Sequence, residues 1–246
     1  MFVSLKHLST PDWHSIGKNP PEMHAEVLTL SMDEDAMKTF VGGDFQVETT
    51  NLEGGSQNES VHGAISSSLD RINQSDESSF CLRLAKEGDL QTIENLVHGL
   101  AEYVNEADAV ELTAQDYRND GFIVDNPLWH CVLIDKIDES GDACTCGYAF
   151  VYFGYVLGQG RFMYLEDLYI ESKYRGGGGG KMTMKALAAV SLSLKCNRMF
   201  WQALDWNTAS LNFYDKIGAK VHKGEKTSRY AGEALKKFAK HGVIAE

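Results

Sequence analysis

The sequence predicts an α/β domain with a mixed, mostly antiparallel central sheet flanked by helices, preceded by a largely disordered acidic extension. Three observations predict it. From about residue 80 onward, strand-like and helix-like runs follow in the order β-α-α-β-β-β-loop-α-β-α-β. The three central strand runs are joined by short turns at 138–142 and 158–160, so they form an antiparallel meander. A loop and a helix then separate the third of them from the next strand, and such a crossover joins parallel neighbours. The charge is uneven as well: residues 1–79 carry 13 acidic and 4 basic side chains, net −9 of the total −12, and the remainder is nearly balanced.

Each element has its own signal. Residues 80–85 alternate as a half-buried strand does. Gly88-Asp89 then leads into Ile93, Leu96, Val97, Leu100, Ala101 and Val104 at helical spacing, with Asp89 as N-cap. Thr113 caps a second, shorter helix through Tyr117 that ends near Gly121. Residues 129–134, 145–156 and 161–170 read as strands. A helix over 181–194 has Met184, Leu187, Ala188 and Leu192 on one face. Residues 198–205 form the next strand, and a short helix over 207–216 is closed by Gly218. A strand begins at 219–222, and 232–240 reads as a basic helix. In the extension, 49–79 is rich in Ser, Asn, Gly, Gln and acids and reads as disordered. Only 25–40 has the pattern of a transient amphipathic helix. The expected organisation is an acidic extension over 1–79 and one folded domain over 80–246.

Composition excludes several function classes. A net charge of −12 argues against a nucleic-acid-binding surface. No run approaches the ~18 apolar residues of a membrane span, so no membrane partner is expected. No secretory signal is evident, and the acidic leader is the reverse of an Arg-rich transit peptide. Five cysteines, an odd count, point to reduced thiols in a cytoplasmic protein. Cys144-x-Cys146 has no second pair at zinc spacing and reads as a strand entry, so no metal is expected.

The most informative motif is the run Gly176, Gly177, Gly178, Gly179 and Gly180, between Arg175 and Lys181. A bare glycine turn that opens a helix offers backbone N–H groups and a helix dipole to an anion, most often phosphate. A P-loop fails here, because Arg175 and Met182 stand where Gly and Ser/Thr are required. A dinucleotide fingerprint fails because five contiguous glycines span too few positions. Arg175-Gly-x-Gly-x-Gly180 fits without exception. A plain flexible linker is the competing reading, and the ordered elements on both sides argue against it.

With Tyr164-Leu-Glu-Asp-Leu-Tyr-Ile170, Tyr174-Arg-Gly-Gly-Gly-Gly-Gly180, Asp205-Trp-Asn207 and Asn212-Phe-Tyr-Asp-Lys-Ile-Gly-Ala219, the chain resembles the GNAT superfamily of N-acetyltransferases. More narrowly, Asp120-Gly-Phe122 and Asn126-Pro-Leu-Trp-His-Cys131 resemble the diamine group, the spermidine/spermine and thialysine acetyltransferases. The resemblance covers about residues 80–246. It implies a GNAT fold, acetyl-CoA as co-substrate, a small-molecule amine as acceptor and a homodimer. It also implies that the loop from Arg175 to Lys181 holds the pyrophosphate. Leu168, Tyr169 and Ile170 run beside the pantetheine arm, and one of their N–H groups polarises the thioester carbonyl. Asn207 and Ser210 contact the cofactor, and Tyr214 protonates the leaving thiolate. On a regular strand Glu166 and Asp167 point to opposite faces. The family's bulge near this point opens the cleft, with Glu166 as base through water and Asp167 holding the amine.

Two departures qualify the match. The polyamine enzymes carry an aromatic–acid pair at the end of the first helix; here it is Tyr103-Val104, so Tyr103 remains as a substrate contact and the acid is missing. This favours a shorter amine or an amino acid such as thialysine or ornithine. Gly177 and Gly179 replace larger residues, which increases the entropy lost when the loop orders. Cys196 ends a helix away from the motifs, which argues for direct transfer without an acetyl-enzyme. The alternatives are a protein or peptide acetyltransferase and a CoA-binding regulatory module without turnover.

Overall fold

The computed structural model describes residues 27–42, 57–222 and 232–241. Seven strands form one sheet: β1 (Val27–Asp33), β2 (Phe80–Leu84), β3 (His130–Ile137), β4 (Ala143–Val156), β5 (Gly160–Ile170), β6 (Arg198–Leu204) and β7 (Lys220–His222). Their order is β2-β3-β4-β5-β6-β1-β7, and only the β5–β6 pair is parallel. The mixed, mostly antiparallel sheet of the sequence reading is therefore present, with helices on both faces.

The helices are α1 (Glu34–Val41), α2 (Gln57–Ser75), α3 (Leu90–Tyr103), α4 (Ala114–Gly121), α5 (Gly179–Ser193), α6 (Thr208–Lys216) and α7 (Gly232–His241). One core cluster joins α1, α2, α5 and α6 to the sheet through side chains such as Met37, Ile65, Leu187 and Tyr214. The other, with Ile93, Leu100, Tyr117, Trp129 and Tyr148, packs α3 and α4 on the opposite face. Nearly every side chain of α5 is buried, because α1 and α2 cover the side turned away from the sheet.

Here the structure corrects the reading of the leader. Within the segment expected to be disordered, β1 is an interior strand, pairing β6 from Val27↔Leu204 to Asp33↔Arg198 and β7 along its other edge. The helix expected over 25–40 is thus strand over Val27–Asp33. Its second half is α1, which starts where the Asp33 carboxylate accepts the Ala36 N–H at 3.0 Å. Farther on, α2 places Ala64, Ile65, Leu69 and Ile72 in the main core. Composition hid this helix because its apolar stripe is narrow; α5 supplies the matching surface, and that is a tertiary fact. Residues 1–26 and 43–56 lie outside the described residues.

The caps also differ in part. Thr113 caps α4 as expected, and the structure adds Asp116 to it as a capping box, with the Thr113 N–H donating to Asp116 at 2.8 Å. Asp89 stands before α3 but makes no side-chain bond to it. Its carboxylate takes a two-pronged bond from Arg83 at 2.8 and 3.0 Å instead. Arg83 Nε donates to Asp135 at 2.8 Å, so one guanidinium ties β2, β3 and the start of α3 together. That ion pair holds the Asp89 carboxyl below its usual range.

Candidate active site

The parallel ladder between β5 and β6 runs from Phe162↔Arg198 to Leu165↔Trp201 and ends there, well before β5 itself ends at Ile170. Beyond it the two strands separate. The direction of the exposed backbone follows from one bond: the Glu171 N–H donates to the Cys146 carbonyl of β4 at 2.9 Å. By strand alternation, Tyr169 and Asp167 also direct their backbone groups toward β4, whereas Leu168 and Ile170 direct theirs toward the gap. The Ile170 carbonyl is taken by Arg175 Nε at 2.7 Å. The Leu168 amide is left facing the space between the strands.

A β-bulge lies at the mouth of this gap. Val151 pairs with Leu165 and Phe150 with Asp167, so Glu166 is the extra residue. The extra residue reverses the alternation. Leu165 and Leu168 enter the core cluster on the α5 face. Asp167 meets the Tyr148 hydroxyl at 3.1 Å on the α3–α4 face. Glu166 comes within hydrogen-bonding reach of Tyr152, which shares that face with Tyr148. Both carboxyl groups therefore face the same side, unlike their placement on a regular strand. They differ in exposure. Asp167 is buried among aromatic rings, its Oδ1 has no hydrogen-bond partner among the described residues, and Glu166 stays partly accessible. Burial, then the neighbouring Glu166, push the Asp167 carboxyl well above the usual carboxylate range, against the Tyr148 hydrogen bond.

The glycine loop joins β5 to α5. Gly176 and Gly178 have φ of +84° and +95°, a region that disfavours side chains. A Cβ on Gly177 or Gly179 would come 3.1 or 3.0 Å from the Phe80 ring. The two glycines that depart from the family pattern thus answer to a neighbour: Phe80 occupies the space that larger loop residues would fill. The first helical bond runs from the Met182 N–H to the Gly178 carbonyl, so the amides of Gly179, Gly180 and Lys181 precede the intrahelical ladder. That is an anion site at a helix N-terminus, with the exposed Lys181 side chain beside it.

Arg175 is braced: its guanidinium lies 4.7 Å from the Tyr103 ring and 5.8 Å from Tyr169. Tyr103 in turn meets Trp206 at 6.3 Å, so aromatic contacts link the end of α3 to the turn that follows β6. Val104, where the polyamine enzymes carry an acid, is buried in the α3–α4 core. Asn207 caps α6, accepting the Ser210 N–H at 3.3 Å, and both residues are buried. A cavity of about 540 Å³ lies between α3 and the end of β5, lined among others by Asn95, Gly99, Thr145, Tyr169 and Lys173.

On the α5–α6 side of the gap, Tyr214 is fully buried, and its hydroxyl has no hydrogen-bond partner among the described residues. Burial raises its pKa, so it stays protonated. Trp201, whose ring lies 5.2 Å from Tyr214, is likewise buried with its indole nitrogen unpartnered. Cys196 is buried, and its thiol is pushed up to about 12 by burial, which makes it a poor nucleophile. Among the described residues no three or more His, Cys, Asp and Glu side chains group as a metal site. Sequence reasoning missed Phe80, Tyr148 and Trp201, because an aromatic in a strand reads as core and only its neighbours reveal another duty.

Comparisons with known proteins identify the family. The model of the acetyltransferase (GNAT) family matches residues 94–219. A thialysine N-epsilon-acetyltransferase of Bos taurus is 35% identical over 164 residues, which span 64% of this chain and 96% of that protein. A spermidine/spermine N(1)-acetyltransferase-like protein 1 of Homo sapiens is 39% identical over 142 residues, 57% of this chain and 20% of that one. Among solved structures, an integron cassette protein from the mobile metagenome of V. cholerae superposes with a TM-score of 0.54 at 24% identity, covering 66% of this chain and 98% of its own. This last likeness concerns the fold alone. On the family match and the near-complete alignment with a named relative, the chain belongs to the acetyltransferase (GNAT) family, whose members use acetyl-CoA, and is an N-acetyltransferase.

Proposed function

We propose that the protein transfers acetyl from acetyl-CoA directly to the primary amine of a small diamine or amino-acid-like substrate. One observation carries this reading: beyond Leu165, β5 and β6 separate with a carboxyl pair on one face and, on the other, a hydroxyl that has no partner among the described residues. The residues present fit acyl-CoA. The amides of Gly179, Gly180 and Lys181 suit the pyrophosphate, with the braced Arg175 and with Gly176, Gly177 and Gly178 keeping side chains out of the way. Leu168, Tyr169 and Ile170 offer a strand edge to the pantetheine amides, and Asn207 and Ser210 shape the start of α6 alongside. Bound there, acetyl-CoA supplies an acetyl thioester and a thiolate leaving group.

The residues then divide the work. Glu166 takes a proton from the substrate ammonium, through water, so that a neutral amine can attack. The Leu168 N–H donates to the carbonyl oxygen as charge develops there. Tyr214 gives its hydroxyl proton to the sulfur as the carbon–sulfur bond breaks. Asp167 stands behind Glu166 as an enclosed carboxyl, and Tyr103 lines the approach to the amine. The shorter acceptor is preferred because the buried Val104 offers no carboxylate to a distant second amine. Relatives named for thialysine and for L-ornithine N5 acetylation support that class. Five free thiols suit a cytoplasmic setting, and the homodimer implied by the family belongs to the same proposal.

The test is CoA release by the full-length chain with acetyl-CoA and a panel of thialysine, ornithine, spermidine, spermine and a lysine peptide. Thialysine or ornithine is expected to give a kcat/KM about tenfold or more above that of spermine. A lysine peptide outperforming every small amine would overturn the substrate class. Binding of acetyl-CoA with no CoA release from any amine would favour a regulatory module.

A further inference from the structure

Two buried rings, each carrying an unmet donor among the described residues, meet where the β5–β6 ladder ends. Trp201 is the last residue of β6 paired to β5, opposite Leu165. Its side chain is 0% exposed, and its Nε1–H has no hydrogen-bond partner among the described residues. The Tyr214 ring lies 5.2 Å away at 57°, and its hydroxyl is equally buried and equally unpartnered. An indole N–H can only donate, so no rearrangement of its own makes it content without an acceptor. Natural interiors rarely leave such groups unmet. Two of them on neighbouring rings, where an opening between strands begins, mark a place for an acceptor that the described residues do not supply.

We propose that Trp201 binds the sulfur end of acyl-CoA, its indole N–H donating to the sulfur beside the Tyr214 hydroxyl. The inference rests on the reading of Tyr214 and of the strand gap given above, and it adds a residue that the motifs do not contain. The chemistry suits the position. A thioester sulfur is a weak acceptor, and a departing thiolate is a strong one, so a donor fixed there gains strength as the bond breaks. Being already buried and rigid, the indole needs no reorganisation at that moment. The bulk of the ring also closes the apex of the gap under the acyl group.

The substitution Trp201→Phe keeps a ring in place and removes the donor. Thermal melts of the full-length chain, and titrations with CoA and with an analogue carrying hydrogen in place of the thiol, then separate a binding role from a packing role. The expected result has three parts. The ligand-free variant melts at or above the wild-type temperature, because an unmet donor is gone. CoA binds about tenfold more weakly. The thiol-free analogue binds both proteins alike. CoA binding within twofold of wild type would overturn the proposal, as would an equal loss for both ligands or a lowered melting temperature with both losses. Should the variant not fold, the indole N–H resonances of the wild type decide: one of the four tryptophans is expected to shift downfield with CoA and not with the analogue. No such shift would overturn the proposal. Wild-type protein that binds no CoA would reject the underlying site reading instead, which keeps the two failures distinct.

Discussion

Deleting residues 1–78 is expected to leave a chain that does not fold. The deletion removes Leu30, Met32, Met37, Val41, Ile65, Leu69 and Ile72, each no more than 4% exposed, from the main core. Full burial of such a side chain contributes about 1.5–3 kcal/mol, so seven of them represent on the order of 10–20 kcal/mol of gross stabilisation. The net stability of a domain is about 5–15 kcal/mol. The loss is also structural. Without β1, the β6 edge from Arg198 to Leu204 loses its partner, and β7 loses its only described neighbour in the sheet. Without α1 and α2, the outer side of α5 faces water just beyond the glycine loop. Far-UV circular dichroism and a thermal melt check this: the truncated chain should show no cooperative transition. A cooperative melt close to that of the full chain would show that the N-terminal elements are appended rather than integral.

That expectation shows where the sequence was legible and where it was not. From β2 through β7 the periodicity placed the elements to within a few residues, because those segments carry their signals locally: a capping box at Thr113, a glycine turn at 158–160, a helix end at Gly218. The glycine loop, Glu166 and Tyr214 were visible because they form a motif with fixed spacing. β1 and α2 were not visible. Val27 to Asp33 is too short to outweigh its polar surroundings, and its strand pairing is with a segment some 170 residues away. The facing of Glu166 and Asp167 was also hidden, since a bulge is a relation between two strands and no single strand encodes it. Phe80, Tyr148 and Trp201 belong to the same class: their roles arise from contacts with Gly179, Asp167 and Tyr214, which lie on other elements.

The second large effect is expected from Tyr214→Phe. Phenylalanine fills the same buried space, so the fold and the Trp201 contact are retained. Stability should stay the same or rise, because a buried hydroxyl without an acceptor costs about 1–3 kcal/mol. Turnover should fall about 10²- to 10⁴-fold, the usual contribution of a positioned acid. The KM for acetyl-CoA should change little, because the hydroxyl acts on a charge that appears only as the carbon–sulfur bond breaks. Burial raises the Tyr214 pKa, so the hydroxyl keeps its proton throughout the neutral range. Any loss of wild-type activity at mildly alkaline pH must then come from another group. Steady-state kinetics together with a thermal melt check the prediction. A rate within threefold of wild type would remove Tyr214 from the mechanism, and a large fall in melting temperature would make its role one of packing.

The central claim is direct transfer from acetyl-CoA, bound between the separated strands, to an amine held before Glu166. Intact-mass measurement of the full-length chain tests it most directly, first after mixing with acetyl-CoA alone and then after adding thialysine or ornithine. The account predicts an unmodified protein in the first sample and equal amounts of free CoA and acetylated amine in the second. A protein carrying one acetyl group before the amine is added, and losing it as acetylated amine forms, would contradict it.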